Sequence, residues 1–218
     1  MADPRLFRLR VIFREQGRLA MLSHLEITRA LERAVRRAKL PYAVSQGFSP
    51  HMRIAFGAAL PVGVGGTHEF FDLFLTEYRA PEKVLAALRD ASAPDLMPES
   101  CSYIEHKAPA ASVAFPLSTY EAHLSCAPEE LVVPASVTVV RKKKEKTLQV
   151  ADFLIDGVEV SGNVARFTLE AKPTGSLRPD VLLNACFAAT SEKHPECADL
   201  RATSVMRIAQ RAADGEML

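Results

Sequence analysis

The residues best suited to chemistry lie between Ser45 and Arg53, where the chain reads Ser-Gln-Gly-Phe-Ser-Pro-His-Met-Arg. An amide, two hydroxyls, an aromatic ring, an imidazole and a guanidinium follow one another here. Gly47 permits a backbone conformation that other residues rarely adopt, and Pro50 stiffens the end of the segment. Functional side chains are commonly carried on such loops, held by a rigid scaffold. The segment is a candidate binding loop, although chance polar content would give the same composition.

A row of arginines precedes this loop on a segment with helical periodicity. Arg29, Arg33, Arg36 and Arg37 recur at a spacing that places them along one side of a helix. One interpretation is an ordinary solvated helix face. The other is an anion-binding face, because guanidinium groups match the geometry of phosphate.

Two cationic segments in the second half of the chain extend this pattern. The run Arg141–Lys146 lies between two strand-like segments and predicts a hairpin tip, which either protects a sheet edge or contacts phosphates. Gly175–Pro179 precedes a predicted helix, and its amides with Arg178 form a candidate anion site. The candidate phosphate-binding residues of these segments are Lys142, Lys143, Lys144 and Arg178.

Two histidines are the candidates for catalysis. His24 at the predicted helix start and His51 in the loop could supply the acid and base of a metal-free ribonuclease. A structural hydrogen bond is the competing interpretation for His24. The four cysteines are scattered without a C-x-x-C pair, which favours reduced thiols over a disulfide framework or a zinc site. We expect no metal and no cofactor.

Composition limits the class of protein. The chain has 218 residues, of which 48% are hydrophobic, so it can bury the core of one large or two small domains. The formal net charge is +1, and any affinity for nucleic acid must therefore come from local patches. The N-terminus does not read as a signal peptide, and no apolar run approaches the ~20 residues of a membrane span. We expect a cytoplasmic protein.

The clearest predicted element is the helix that carries the arginines. Ser23 and Glu26 form a capping box at its start, and Pro41 ends it. Apolar residues recur on one side of this helix and predict a buried stripe. The stripe consists of Ile27, Leu31, Ala34, Val35 and Ala38.

The order of the predicted elements in the first half is strand, helix, strand, strand, helix, strand, which is the split βαβ or ferredoxin-like arrangement. Right-handed crossings place both helices on one face of an antiparallel sheet and leave the opposite face free for binding. Gly57 suggests a bulge or a close backbone approach. The strands are expected at 6–13, 53–59, 67–77 and 101–105, and Pro81 opens the second helix.

The second half reads as a degenerate copy of the first, joined by a proline-marked linker at 107–116. We therefore predict an α+β protein of duplicated ferredoxin-like domains, at residues 1–107 and 117–218. The expected strands are 119–126, 137–140, 147–150, 164–170 and 200–209, with a helical turn or short helix at 128–131 and a helix at about 180–187.

Four segments resemble the uncharacterised bacterial radical SAM-linked protein family. They are Leu22–Glu26 (LSHLE), Arg29–Pro41 (RALERAVRRAKLP), Ser45–Val64 (SQGFSPHMRIAFGAALPVGV) and Gly175–Pro179 (GSLRP). Members are encoded beside or fused to a radical SAM protein, often close to a ribonuclease E/G gene. The resemblance implies a radical SAM partner and an RNA context. Members usually have asparagine where this chain has Ser49, so a role that needs the asparagine side chain does not carry over.

These observations favour an RNA-binding accessory protein that presents a tRNA or rRNA to a radical SAM or RNA-processing partner, and that is not an enzyme by itself. The alternatives are a protein-docking module for the radical SAM enzyme without RNA contact, and a metal-independent RNA nuclease using His24 and His51. The oligomeric state stays open. Six residues are expected to form the principal RNA-binding surface, and four more would extend it onto the second domain. The six are Arg29, Arg33, Gln46, Phe48, His51 and Arg53, and the four are Lys142, Lys143, Lys144 and Arg178.

Overall fold

The computed structural model describes residues 6–141 and 144–218, which form two compact units. The first unit ends at Phe115 and the second begins at Pro116. All strand pairs within the units are antiparallel among the described residues, so the fold is α+β. None of the helices described is long and apolar enough to cross a membrane.

The first unit alternates strands and helices in the predicted order. Its strands lie in the order β4-β1-β3-β2, with every neighbour antiparallel. The elements are β1 (Phe7–Glu15), α1 (His24–Arg37), β2 (Ile54–Phe56), β3 (Val64–Leu75), α2 (Pro81–Ala91), β4 (Leu96–Tyr103) and the short α3 (Ala111–Ala114), with a 3-10 helix at Gly17–Met21 before α1.

The capping box at the start of α1 is confirmed. The Glu26 carboxylate accepts hydrogen bonds from the Ser23 amide at 2.8 Å and from the Ser23 hydroxyl at 2.7 Å. Both interactions favour the ionised carboxylate and lower the pKa of Glu26 below its usual range. Most of the predicted apolar stripe is buried; Ala38 is only partly buried.

Both helices of the first unit pack on the same face of its sheet. The core combines side chains from α1 and α2 with alternate residues of the two central strands. Gly57 makes the predicted close approach, because a Cβ atom there would lie 2.6 Å from a Phe70 ring carbon. The principal core residues are Ile27, Leu31 and Val35 from α1, Val84 and Leu88 from α2, Leu9, Val11 and Phe13 from β1, and Phe71, Leu73 and Leu75 from β3.

The opposite face of this sheet is not free, which corrects the prediction made for it. Arg8 is 6% exposed and Asp72 is fully buried, and they form an ion pair of 2.6 Å. The remaining donors of Arg8 bind the carbonyls of Ala108 and Pro109, each at 2.7 Å. The segment expected to be only a linker therefore supplies hydrogen-bond acceptors to a buried cation. Without such partners the charge would be costly to bury.

The second unit contains one long helix and a separate two-stranded hairpin. Four of its strands lie in the order β10-β5-β9-β8, and β6 pairs with β7. The hairpin predicted around the basic run is confirmed by the pairing of Arg141 with Lys144. The elements are β5 (Leu117–Leu124), β6 (Ser136–Arg141), β7 (Lys144–Gln149), β8 (Leu154–Ser161), β9 (Val164–Glu170), α4 (Pro179–Lys193) and β10 (Ala202–Arg211), with short 3-10 helices at Val150–Asp152 and Pro195–Cys197.

The helical turn or short helix expected at residues 128–131 does not form. Pro134 follows closely and disfavours helical geometry at Val133, which leaves little chain in which a helix could develop. The segment between β5 and β8 instead contains the β6–β7 hairpin. The second unit thus has a hairpin at the position in chain order where the first unit has α1.

Candidate functional site

The candidate loop is the tip of a short hairpin that projects from the first unit. Its arms are joined by an isolated bridge between Val44 and Met52, by the Arg53 amide bonded to the Ala43 carbonyl at 2.8 Å, and by the Ser45 amide bonded to the His51 carbonyl at 2.8 Å. The Ser45 hydroxyl also accepts a 3.0 Å hydrogen bond from the His51 amide. We call residues 45–51 the tip loop.

The base of this hairpin is fixed to the sheet. Phe74 in β3 accepts a 2.7 Å hydrogen bond from the Ala43 amide and donates a 3.1 Å hydrogen bond to the Arg53 carbonyl. Both arms are thus tied to one strand at the same residue. This arrangement gives the tip loop a rigid support, as binding loops require.

The tip loop places an apolar ring in water. Phe48 is fully exposed, at 109% of its reference area. Gly47 adopts a φ of +138°, which is accessible mainly to glycine, and so it can turn the chain just before the ring. Gln46 and His51 are also exposed on either side of Phe48. An aromatic ring that gains nothing from burial, between hydrogen-bonding side chains, is suited to contact with a ligand.

Arg53 lies at the base of the hairpin and contacts an aromatic ring. Its guanidinium carbon is 4.9 Å from the ring centroid of Phe74, which is a cation–π contact. Phe74 faces away from α1, since its neighbours Leu73 and Leu75 in β3 belong to the core under the helices. Arg53 is therefore positioned on the side of β3 opposite to α1.

Arg29 and Arg33 occupy the solvent side of α1 and are exposed. Two other arginines of the stripe are engaged: Arg36 pairs with Glu32 at 3.2 Å, and Arg37 donates to the Ala91 carbonyl. In the described part of the chain, no acidic side chain forms an ion pair with Arg33. The structure thus brings Gln46, Phe48 and His51 together on the tip loop, with Arg53 below them, but it does not bring Arg53 against the arginines of α1.

The two histidines proposed for catalysis are in different surroundings. Both are exposed, but the His24 ring meets Phe56 edge-on at 5.5 Å between centroids, and His51 lies on the tip loop. His24 lines a cleft of about 10 Å³ together with the carboxylates of Glu15 and Glu69. A cleft of that size has room for at most about one water molecule, so it does not enclose a nucleotide.

The cationic segments of the second unit meet each other. The Nζ atom of Lys146 on the β6–β7 hairpin is 3.9 Å from the position of a Cβ atom built on Gly175, which places the basic hairpin beside the Gly175–Pro179 loop. A groove of about 410 Å³ lies between them, lined by Val140, Leu148 and Arg178 among others. Lys144 is exposed. Lys142 and Lys143 lie outside the described residues.

Arg178 already has an anionic partner. Its guanidinium donates two hydrogen bonds to Asp180, at 3.0 Å and 2.8 Å. A phosphate would have to compete with this carboxylate for the same donors. Within residues 6–141 and 144–218, no three histidine, cysteine or acidic side chains are grouped so that they could hold a metal ion.

A family model described as "Uncharacterized protein conserved in bacteria (DUF2344)" matches residues 8–179. The chain belongs to this family. The match runs from β1 to the first residue of α4, and it includes the tip loop and the Gly175–Pro179 loop. No curated protein matches the chain.

One constellation within this DUF2344 chain was not predicted from the sequence. The buried carboxylate of Asp72 accepts hydrogen bonds from both Arg8 and Arg10, at distances from 2.6 to 3.1 Å. Arg10 also lies over the rings of Phe70 and Phe115, 4.6 Å and 5.1 Å from their centroids. The only sequence signal was an alternation of arginine with apolar residues in β1, matched by a lone aspartate in β3. This network joins β1 to β3, and β3 is the strand to which the base of the hairpin is bonded.

Proposed function

We propose that this chain is an RNA-binding accessory protein that presents an RNA to a partner enzyme. One observation carries the proposal: Phe48 is fully exposed on a loop whose base is fixed to β3. Burial would favour this ring by roughly 1.5–3 kcal/mol, so its exposure on a supported loop is unfavourable unless a ligand covers it. Unpaired RNA bases are suitable ligands, because every base offers a face on which a ring can stack.

The neighbouring side chains supply the remaining interactions that single-stranded RNA requires. Gln46 can donate and accept hydrogen bonds at a base edge, and the His51 imidazole can contact a phosphate or a 2′-hydroxyl. Arg53 adds a cation at the base of the same hairpin. Arg29 and Arg33 on α1 would contact phosphates on a separate surface, because they lie on the other side of β3 from the Arg53 side chain.

The second unit would extend the contacts with phosphate. Lys144 is an exposed cation on the β6–β7 hairpin, and Lys142 and Lys143 belong to the same basic run of the sequence. Arg178 can join them only by exchanging its bond to Asp180 for a bond to RNA. We therefore assign the principal role to the hairpin lysines and a smaller role to Arg178.

The partner that we propose is a radical SAM protein, by resemblance to the radical SAM-linked family, and the proposed location is the cytoplasm. The four cysteines are free thiols, in keeping with a reducing compartment. We also propose that the two units are versions of one split βαβ arrangement, the second with a hairpin in place of the first helix. The strand orders β4-β1-β3-β2 and β10-β5-β9-β8 support this relation.

A protein-docking module is the second candidate function. It is favoured by the apolar character of the exposed hairpin, where Val44 is 46% exposed in addition to Phe48. An exposed aromatic side chain can anchor a protein interface as well as stack on an RNA base. This alternative predicts a stable complex with the radical SAM protein in the absence of RNA, and little weakening of that complex by salt.

Substitution of Phe48 distinguishes the two functions. Base stacking on an aromatic ring is worth about 1–3 kcal/mol, so Phe48→Ala should weaken binding of the full chain to bulk tRNA about 5- to 160-fold. Phe48→Leu should weaken it nearly as much, because leucine cannot stack. An apolar docking anchor would tolerate leucine. If Phe48→Leu still bound the radical SAM protein and its affinity for RNA were unchanged, the RNA assignment would be refuted.

Two arginines of α1 provide a matched pair of control variants. Arg33→Gln removes an exposed arginine without an ion pair among the described residues, whereas Arg36→Gln removes one that is held by Glu32. Loss of one phosphate contact should flatten the dependence of log K on log salt by about 0.7 for single-stranded RNA. We expect that change for Arg33→Gln only. Equal slopes for wild type and Arg33→Gln would remove α1 from the interface.

A further inference from the structure

Two thiols of the second unit lie side by side at one end of its sheet. β5 and β10 pair up to Leu124 and Ala202, and the chain then continues to Cys126 on one side and back to Cys197 on the other. Ser125 joins the two segments: its amide donates to the Arg201 carbonyl at 2.9 Å, and its hydroxyl donates to the Asp199 carbonyl at 3.1 Å.

Cys126 and Cys197 belong to the two segments that Ser125 joins, so they lie near each other in the fold. Burial, together with the nearby Cys126 thiol, raises the pKa of Cys197. Cys126 is exposed, and Cys197 is partly exposed. The Cys126 thiol is therefore open to attack from solvent, with the Cys197 thiol near it.

The other two cysteines differ from this pair. Cys186 is completely buried, and burial raises its pKa to about 11, so it remains a protonated thiol at neutral pH. Cys101 is about half-buried and donates a hydrogen bond to the Pro81 carbonyl. These two cysteines serve as internal controls for the reactivity of the pair.

A pocket of about 220 Å³ opens beside Cys197. His194, Glu130 and Thr190 are among its lining residues. This volume accommodates a small oxidant such as hydrogen peroxide, which occupies little more space than water. A reagent can thus reach the pair both from bulk solvent, at Cys126, and through the pocket, at Cys197.

We propose that Cys126 and Cys197 are an oxidisable dithiol that closes reversibly into a disulfide under peroxide. In the first step, the Cys126 thiolate attacks one peroxide oxygen, the O–O bond breaks, and the hydroxide released takes up a proton to become water. In the second step, the Cys197 sulfur attacks the Cys126 sulfenic acid, loses its proton and expels a second water. Two thiols are oxidised and one peroxide is reduced to two waters.

The disulfide would tie together the two segments that flank the pocket. One is the chain after β5, which includes Glu130, and the other is the 3-10 helix Pro195–Cys197 after α4. In a reducing compartment such a bond forms only transiently, which is the behaviour of a redox-sensing pair rather than of a structural one. The inference is independent of the proposed RNA function, since it concerns different residues.

The test is oxidation of the reduced full-length chain with hydrogen peroxide, followed by peptide mapping without reductant. The expected result is a cross-linked peptide pair containing Cys126 and Cys197 in monomeric protein, reversed by dithiothreitol. Thiol titration in urea should show that two of the four cysteines are lost. Cys101→Ser should leave the cross-link intact, whereas Cys126→Ser and Cys197→Ser should each abolish it.

A sulfenic acid probe gives a second, independent result. In Cys197→Ser the oxidation of Cys126 should stop at the sulfenic acid and be trapped by dimedone, because the nearby second thiol has been removed. Both cysteines are at least partly exposed, and circular dichroism verifies that the variants fold. Four titratable thiols after peroxide treatment of the wild type, or cross-links only between separate chains, would overturn the proposal.

Discussion

The buried carboxylate of Asp72 gives the sharpest stability prediction. It accepts four hydrogen bonds from Arg8 and Arg10, and it is completely buried between side chains that are 6% and 13% exposed. Asp72→Asn keeps the shape of the side chain but removes the negative charge. Two cations would then remain largely buried without a counter-charge, which is far more costly than losing an exposed ion pair.

The magnitude follows from what remains after the substitution. Breaking a buried ion pair by removing one partner costs about 3–5 kcal/mol. Arg8 would keep the carbonyls of Ala108 and Pro109, and Arg10 would keep its contact with the Phe70 ring at 4.6 Å. We therefore expect the lower end of the range, about 3 kcal/mol of lost unfolding free energy.

Urea unfolding of the full-length chain, followed by circular dichroism, measures this loss, and hydrogen exchange of the β1 amides localises it to the first unit. Glu77→Gln is the matched control, because Glu77 forms an ion pair of similar length, 2.9 Å, with Arg79 on the surface. That exposed pair should contribute less than about 1 kcal/mol. If both variants lost the same small amount, the network around Asp72 would not stabilise the fold as we argue.

Two further substitutions test the sheet and the start of α1. Gly57→Ala places a methyl group 2.6 Å from a carbon of the buried Phe70 ring and should lower the unfolding free energy by about 1–3 kcal/mol; an unchanged urea midpoint would contradict the close approach. Glu26→Gln tests the capping box. Folding lowers the pKa of Glu26, so the ionised carboxylate stabilises the fold above the usual carboxyl pKa. This stabilisation is lost as the pH falls through the pKa of Glu26 in the folded protein. Thermal midpoints of wild type and Glu26→Gln should therefore differ at neutral pH and converge in acid, and a constant difference would refute this assignment.

The features predicted well from the sequence depend on residues close together in the chain. Ser23 and Glu26 are three positions apart, and their reciprocal bonds form as the capping motif requires. The apolar stripe of α1 follows from helical periodicity in the same way. Gly57 was identified because an isolated glycine in a strand commonly marks a close approach.

The features that were missed depend on distant partners or on tertiary context. Asp72 lies more than sixty positions from both of its arginine partners, and Arg8 reaches carbonyls about a hundred positions away, so no local pattern indicated the network. β4 begins at Leu96 and includes Pro98, whereas the predicted strand began after that proline. Proline is tolerated there because β4 is an edge strand of the first unit and the missing amide is not needed by a neighbour.

The sequence identified the tip loop as a candidate binding loop, but it did not show where this loop lies relative to α1. The sequence indicated a candidate binding loop around Phe48, and the structure shows that this ring is fully exposed. We expected the tip loop, Arg53 and the arginines of α1 to form one surface. Whether they do depends on the side of β3 on which Arg53 lies, and the sequence does not show this. That choice is made by the contact of Arg53 with Phe74, a residue far from it in the sequence.

The most direct test of the proposed RNA function is capture of total cellular RNA by the purified full-length chain at about 50 mM and about 200 mM salt, with the recovered RNA sequenced. We predict enrichment of a discrete tRNA or rRNA species at the lower salt concentration, its loss at the higher one, and no enrichment by Phe48→Ala. Failure to enrich any species at low salt, or enrichment that Phe48→Ala leaves unchanged, would contradict the proposed RNA function.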